Sequence, residues 1–178
     1  MSALSLKALA AAQAALAAGV HGGQPARFRG PEVDVYLANV GLDAEHDGAN
    51  GPGYPWCAAF VYSMFKAALA EFGGDLNPCP RTASALHLWN NAPDSARLEG
   101  LEASLPAPGD VFVLVHHDGI HGHTGFVESV SPDGRTITTV EGDTDTSGSS
   151  TGDAVGRHEN WTPSDGTRGR LLGFLEFG

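Results

Sequence analysis

The stretch HTGFVESVSPDGRTITTVEGD, residues 123–143, reads as two strands joined by a tight turn. Pro132 pre-sets φ for the first turn position, Asp133 suits the second, and Gly134 accepts a left-handed conformation. Together they predict a three-residue hairpin loop with a glycine bulge. Ser131 then faces Arg135, and counting back along that register sets Gly125 opposite Glu141 and His123 opposite Asp143. Opposed residues share a face of a sheet, as do residues two apart along a strand. His123, Gly125, Glu141 and Asp143 are therefore expected on one face. Glu141 lies on the diagonal from His123, within reach of a long side chain, and Gly125 leaves space between them.

Outward from the hairpin, DVFVLVH (residues 110–116) and LLGFLEF (residues 171–177) also read as strands. The segment EGDTDTSGSSTGDAVG (residues 141–156) is polar and too short to link two domains. Upstream the texture is helical. An alanine-rich helix is expected from about Leu4 to Ala18, with Gly19 as its stop. Pro31 and Gly41 bracket a second helix, whose Val33, Tyr36, Leu37 and Val40 share a face. A third starts at Pro55 and stops at Gly73-Gly74. Its apolar stripe runs from Cys57 through Phe60, Val61, Met64, Phe65, Ala68 and Leu69 to Phe72. Helices first and antiparallel strands second predict an α+β fold. The chain reads as one domain, residues 1–178, with an N-terminal helix and loop over 1–30 and a core over 31–178. A sheet of about five strands is expected.

Cys57 in PWCAAFV opens the third helix on its buried face, where that helix packs on the sheet. Thiolate, not thiol, is the nucleophile. The first turn of a helix offers unpaired N–H groups and the positive end of the dipole, so a lowered thiol pKa is expected. A nearby imidazole takes the thiol proton, and a carboxylate on the other ring nitrogen holds the imidazole. The backbone N–H of Cys57 is placed to help hold an oxyanion. A buried cysteine is also an ordinary small hydrophobe. The concurrence of Cys57, His123 and Glu141 favours chemistry. Tyr54 and Trp56 flank the cysteine and are expected to wall a cleft.

The net charge of −11, from 10 basic and 21 acidic residues, argues against binding nucleic acid or anionic membrane surfaces. No apolar run is long enough to span a membrane. Two cysteines make a poor disulfide framework, and Cys79 stands between prolines in NPCPRT on an expected loop. The first residues read as a helix rather than a secretory signal, because Gln13 interrupts the apolar run.

PWCAAFV around Cys57, PAPGDVFV leading into a strand, HTGFVESV beginning at His123, and TVEGDT containing Glu141 resemble, in that order, the CHAP family of cysteine amidohydrolases and peptidases. These are relatives of the papain-like and NlpC/P60 groups. The resemblance runs from about Pro31 to the end of the chain. It implies a papain-like fold, with N-terminal helices packed on an antiparallel sheet; no metal or cofactor is expected. It implies peptidoglycan as substrate, cut either at the muramoyl–L-alanine amide or at a peptide bond of the stem or cross-bridge. Cys57 would be nucleophile, His123 base and Glu141 the orienting residue. The family commonly carries Asn two residues after the Glu, where this chain has Asp143. Which of Glu141 and Asp143 orients the ring stays open. A protein made in the cytoplasm would need a dedicated injection system or phage lysis to reach the wall. A delivered toxin would be expected to have a cognate immunity protein.

Three other readings compete. His116, His117, His121 and His123 in HHDGIHGH offer zinc ligands. Asp143, Asp145 and Asp153, or Asp43, Glu45 and Asp47, offer oxygen ligands for calcium, although neither loop matches the EF-hand pattern. An inactive wall-binding module on the same fold is the third.

Overall fold

The computed structural model describes residues 2–23, 25–46, 51–99, 105–145 and 152–178. Among the described residues four α-helices precede the strands: α1 (Ala3–Ala17), α2 (Pro31–Asn39), α3 (Cys57–Phe72) and α4 (Ala85–Asn91). The strands are β1 (Arg97–Glu99), β2 (Val111–Val115), β3 (Gly122–Val130), β4 (Ile137–Thr144), β5 (Ala154–Trp161) and β6 (Arg170–Leu175). They form one sheet in the order β1-β6-β2-β3-β4-β5, with every neighbouring pair antiparallel. The fold class is α+β, as expected, with one strand more than the sequence suggested.

Alternation along the strands separates two apolar layers. Val111, Val113, Phe126 and Val140 face the helices and join the stripe of α3 in the main core. Phe60 and Phe65 of α3 both pack their rings against Phe126. The other face carries Phe112, Leu114, Val127, Ile137, Trp161 and Phe174. Ser2 caps α1 by accepting the Ser5 N–H, and the Ser2 and Ser5 hydroxyls both donate to the Phe177 carbonyl, tying α1 to the end of the sheet.

The hairpin differs from its expected form twice, and the two differences cancel. The Ser131 N–H donates to Thr136, not Arg135, so the loop over residues 132–135 is one residue longer than expected. A bulge on β3 between Val127 and Ser129 then shifts the register back by one. Beyond it Phe126 faces Val140 and Val127 faces Thr139. Continued by one step, that register sets Gly125 beside Glu141, as counted from the turn.

Gly142 of β4 lies against the start of α3. A Cβ there would stand 2.7 Å from Cβ and Cγ of Phe60 and from the Trp56 ring. Both are fully buried, so neither can swing away. Gly142→Ala is expected to destabilise the fold by about 1–3 kcal/mol through overpacking, read as a fall in Tm by thermal denaturation.

Candidate active site

His123 and Glu141 stand on the sheet face opposite α3. His123 faces Leu114 of β2 across the ladder, on the side of Phe112 and Trp161. The expectation that α3 would pack on the His123 face is thus corrected: its stripe needs the broad apolar face of Phe126 and Val140. Cys57 opens α3 and lies in the core between the helices and the sheet. The β3–β4 ladder stops at Phe126 and Val140, and backbone N–H groups of Thr124 and Ala58 are directed at the sulfur there. Thr124 is the residue after His123 in the chain, so the thiol meets the backbone of β3 one residue from the His123 position.

His123 Nε2 lies 2.8 Å from Glu141 Oε2, with both side chains buried. Gly125 makes room for this, because a Cβ there would stand 2.8 Å from Glu141 Cγ. Glu141 is surrounded by further partners. Thr139 Oγ1 donates to Oε1 at 2.5 Å, and Arg168 donates Nη1 to Oε1 at 2.8 Å and Nη2 to Oε2 at 2.6 Å. His158 Nε2 stands 3.6 Å from Oε2 and 2.8 Å from Thr144 Oγ1. Burial alone would raise a carboxyl pKa, but the Arg168 and His123 hydrogen bonds and charges outweigh it and hold Glu141 well below the usual carboxylate range. An ionised carboxylate only accepts hydrogen bonds. His123 Nε2 therefore donates this hydrogen bond, and in the neutral tautomer that pairing allows, Nδ1 is the nitrogen with the lone pair.

Asp143 does not pair with His123. It has φ 60 and turns its Oδ2 to accept the Trp56 N–H at 3.1 Å, tying the end of β4 to the start of α3. Its Oδ1 is buried with no hydrogen-bond partner among the described residues. Burial, above all, pushes its pKa up to about 8. In the unfolded chain the group titrates near the ordinary value, so between about pH 4 and 8 the unfolded state releases a proton that the folded state keeps. Stability therefore falls as pH rises through that window. Asp143→Asn is expected to flatten this dependence and raise Tm at pH 8, measured by calorimetry from pH 4 to 9.

The Cys57 thiol also departs from expectation. Burial pushes its pKa up, the Asp143 carboxylate adds to this, and the two N–H groups counter only in part. The helix start does not dominate, because the thiol is almost fully enclosed. Cys79 is likewise buried and pushed up, and the two cysteines are unbridged.

A cleft of ≈ 250 Å³ opens on Cys57 between Leu42, Tyr54, Ala83 and Ile120. Tyr54 lines it, stacked on His46 with ring centroids 4.4 Å apart. Trp56 does not: it is fully buried and packs against Tyr36 and Phe60 in the core. A larger hollow of ≈ 790 Å³, around Cys79 at the far end of α3, contains none of the candidate residues.

The histidine-rich turn does not gather into a metal site. His121 is exposed and pairs with Asp118 at 2.6 Å, His116 Nδ1 donates to the Arg168 carbonyl at 3.3 Å, and His123 is held by Glu141. Among the described residues no three His, Cys, Asp or Glu side chains converge on a point that could hold a metal ion, the acidic loops included. Asp47 lies outside the described residues.

Residues 49–143, over half the chain, match the model of the CHAP domain. The chain belongs to the CHAP family. The match takes in Cys57, His123 and Glu141, and it supports a peptidoglycan hydrolase of the amidase type. No curated protein and no solved structure matches the chain. In this CHAP domain no helix among the described residues is long and apolar enough to cross a membrane. Arg168, Thr139 and His158 were not legible as parts of the site. The one signal for them was general: a carboxylate fully buried in a strand must meet a cation.

Proposed function

We propose that this CHAP domain cleaves an amide bond of peptidoglycan through a covalent thioester on Cys57. The observation that carries the reading is the buried His123–Glu141 hydrogen bond, with the Cys57 sulfur bonded to the N–H of the next residue along β3. His123 Nδ1 accepts the thiol proton as Sγ attacks the carbonyl carbon. This general-base route suits a thiol whose pKa burial has raised, because no standing thiolate is required. The Cys57 N–H lies in the first turn of α3, without an intrahelical acceptor, and is available to the oxyanion. The imidazolium then protonates the departing amine, and water, deprotonated by the same Nδ1, hydrolyses the thioester. Glu141 offsets the positive charge on His123 throughout. Tyr54 offers an aromatic wall and a hydroxyl to the bound peptide.

The cleft is apolar and narrow, which suits the small side chains of an alanine-containing stem at either a muramoyl–L-alanine amide or a stem peptide bond. The enzyme acts on the wall after delivery or lysis, and a delivered form would be countered by an immunity protein that blocks the cleft. Incubating purified sacculi with the protein separates catalysis from mere binding. Release of soluble fragments is expected. Co-sedimentation with intact sacculi and no release would favour an inactive wall-binding module.

A further inference from the structure

Arg168 sits in the loop before β6, 27 residues beyond Glu141 and outside the segment that matches the CHAP model. Its guanidinium forks onto both oxygens of Glu141 and stacks between two aromatic rings, 4.8 Å from the Trp161 centroid and 5.8 Å from that of Phe112. Its carbonyl is held by His116. A surface arginine would not need such a cradle. Glu141 thus shares Oε2 between the imidazole and the guanidinium, and gives Oε1 to the guanidinium and Thr139.

We propose that Arg168 is a positioning residue of this active site, which locks the Glu141 carboxylate in place for His123 and opposes a second positive charge beside it. The inference rests on the Cys57–His123–Glu141 reading above. The charge count gives its physical content. With Arg168 and Glu141 charged and His123 neutral, the buried trio is neutral, and a proton on His123 makes it +1. Without the guanidinium the pair starts at −1, and the same proton neutralises it. Proton uptake by the His123–Glu141 pair is then easier, and the base is blocked over a wider acid range.

The other ionisable groups around the pair do not replace this charge. On β5, His158 has its pKa lowered by burial and bonds Thr144, while Asp145 beyond β4 acts on it. Past the end of β2, His116 also has its pKa lowered by burial. At the end of the β3–β4 ladder, Cys57 and Asp143 both have raised pKa values. At the start of β3, His121 is exposed and engaged with Asp118. Arg168 alone among them brings a fixed positive charge.

Arg168→Met keeps the bulk between Trp161 and Phe112 and removes the charge. Arg168→Lys keeps the charge and loses the fork. For Arg168→Met, kcat on soluble muropeptides is expected to fall about tenfold to hundredfold with little change in KM. The acid limb of its pH profile should move up by about one unit or more. Arg168→Lys should return the limb to the wild-type position while recovering only part of kcat. The same variants are compared without substrate by following the His123 ring nitrogens in NMR, assigned by their loss in His123→Asn. A higher titration midpoint in Arg168→Met than in wild type and Arg168→Lys supports the proposal even where no peptidoglycan is cut, which would overturn only the functional reading. Coincident midpoints in wild type and Arg168→Met, or an equal displacement in both variants, would overturn the role of Arg168. If Arg168→Met does not fold, wild type is compared with Arg168→Lys and Arg168→Gln on the same readouts.

Discussion

Glu141→Gln is expected to lower hydrolysis by at least about a hundredfold, because the base loses its orienting charge. It should lower the stability of the fold as well. The carboxylate is buried and receives hydrogen bonds from Thr139, His123 and both arms of Arg168. An amide presents N–H groups to at least one of these donors, and it leaves the Arg168 charge buried without a counter-ion. Breaking a buried pair in this way costs about 3–5 kcal/mol. Asp143→Asn is expected to behave oppositely, with activity near wild type and a higher Tm at pH 8. The two substitutions make the same chemical change two residues apart, so their contrast isolates which carboxyl serves His123. The assay is sacculus hydrolysis at fixed folded-protein concentration, with Tm measured in parallel. Equal loss in both variants, or a greater loss in Asp143→Asn, would show that the direct cross-strand position was the one that mattered. Acid lability carries the same signature. A carboxyl pKa depressed in the folded state contributes stability that is present above the unfolded value, and this is lost as pH falls below it.

Cys57→Ala is expected to abolish hydrolysis while the protein stays folded to within about 1 kcal/mol. The truncation removes one small group at the edge of the cleft, together with its contacts to the Ala58 and Thr124 N–H groups. The stripe of α3 from Phe60 onward is untouched. Of the other nucleophile types on the cleft, Ser84 caps α4 and His121 is paired with Asp118, so Cys57 is the group expected to form the covalent intermediate. The raised thiol pKa adds a kinetic signature. Alkylation of Cys57 by iodoacetamide should be slow at neutral pH and climb as pH rises, followed by mass spectrometry of the Cys57 peptide. Cys79 is an internal comparison, buried and without an imidazole beside it, and its alkylation should be independent of His123→Ala. A Cys57→Ala protein with undiminished hydrolysis would end the thioester mechanism.

The sequence was most informative where local rules act alone. Pro31 and Gly41, and Pro55 and Gly73, bracketed two helices closely, because proline and glycine punctuate a chain without tertiary help. The hairpin register leads to Gly125 beside Glu141 although the loop is one residue longer than expected, since the bulge at Glu128 restores the register. Long-range geometry was less visible. The edge strand β5, AVGRHENW, alternates poorly and carries charge, so its sequence resembles a loop. Asp143 was assigned to the His123 face because regular alternation cannot anticipate a positive φ. Trp56 resembled a cleft residue because it adjoins Cys57, yet at a helix start neighbouring side chains diverge, and Trp56 turns into the core. Arg168 lies in the glycine-flanked GTRGR, where nothing local marks it, and only the folded chain brings it to Glu141.

The central claim is that this domain opens an amide of peptidoglycan by thiol chemistry. Its most direct test is mass spectrometry of the fragments released from purified sacculi by the wild-type protein in the presence of a metal chelator. The account predicts fragments with new amine and carboxyl ends at one class of amide bond, glycan strands otherwise intact, and a yield unaffected by the chelator. Cuts within the glycan strand, or fragments that disappear on chelation, would contradict it.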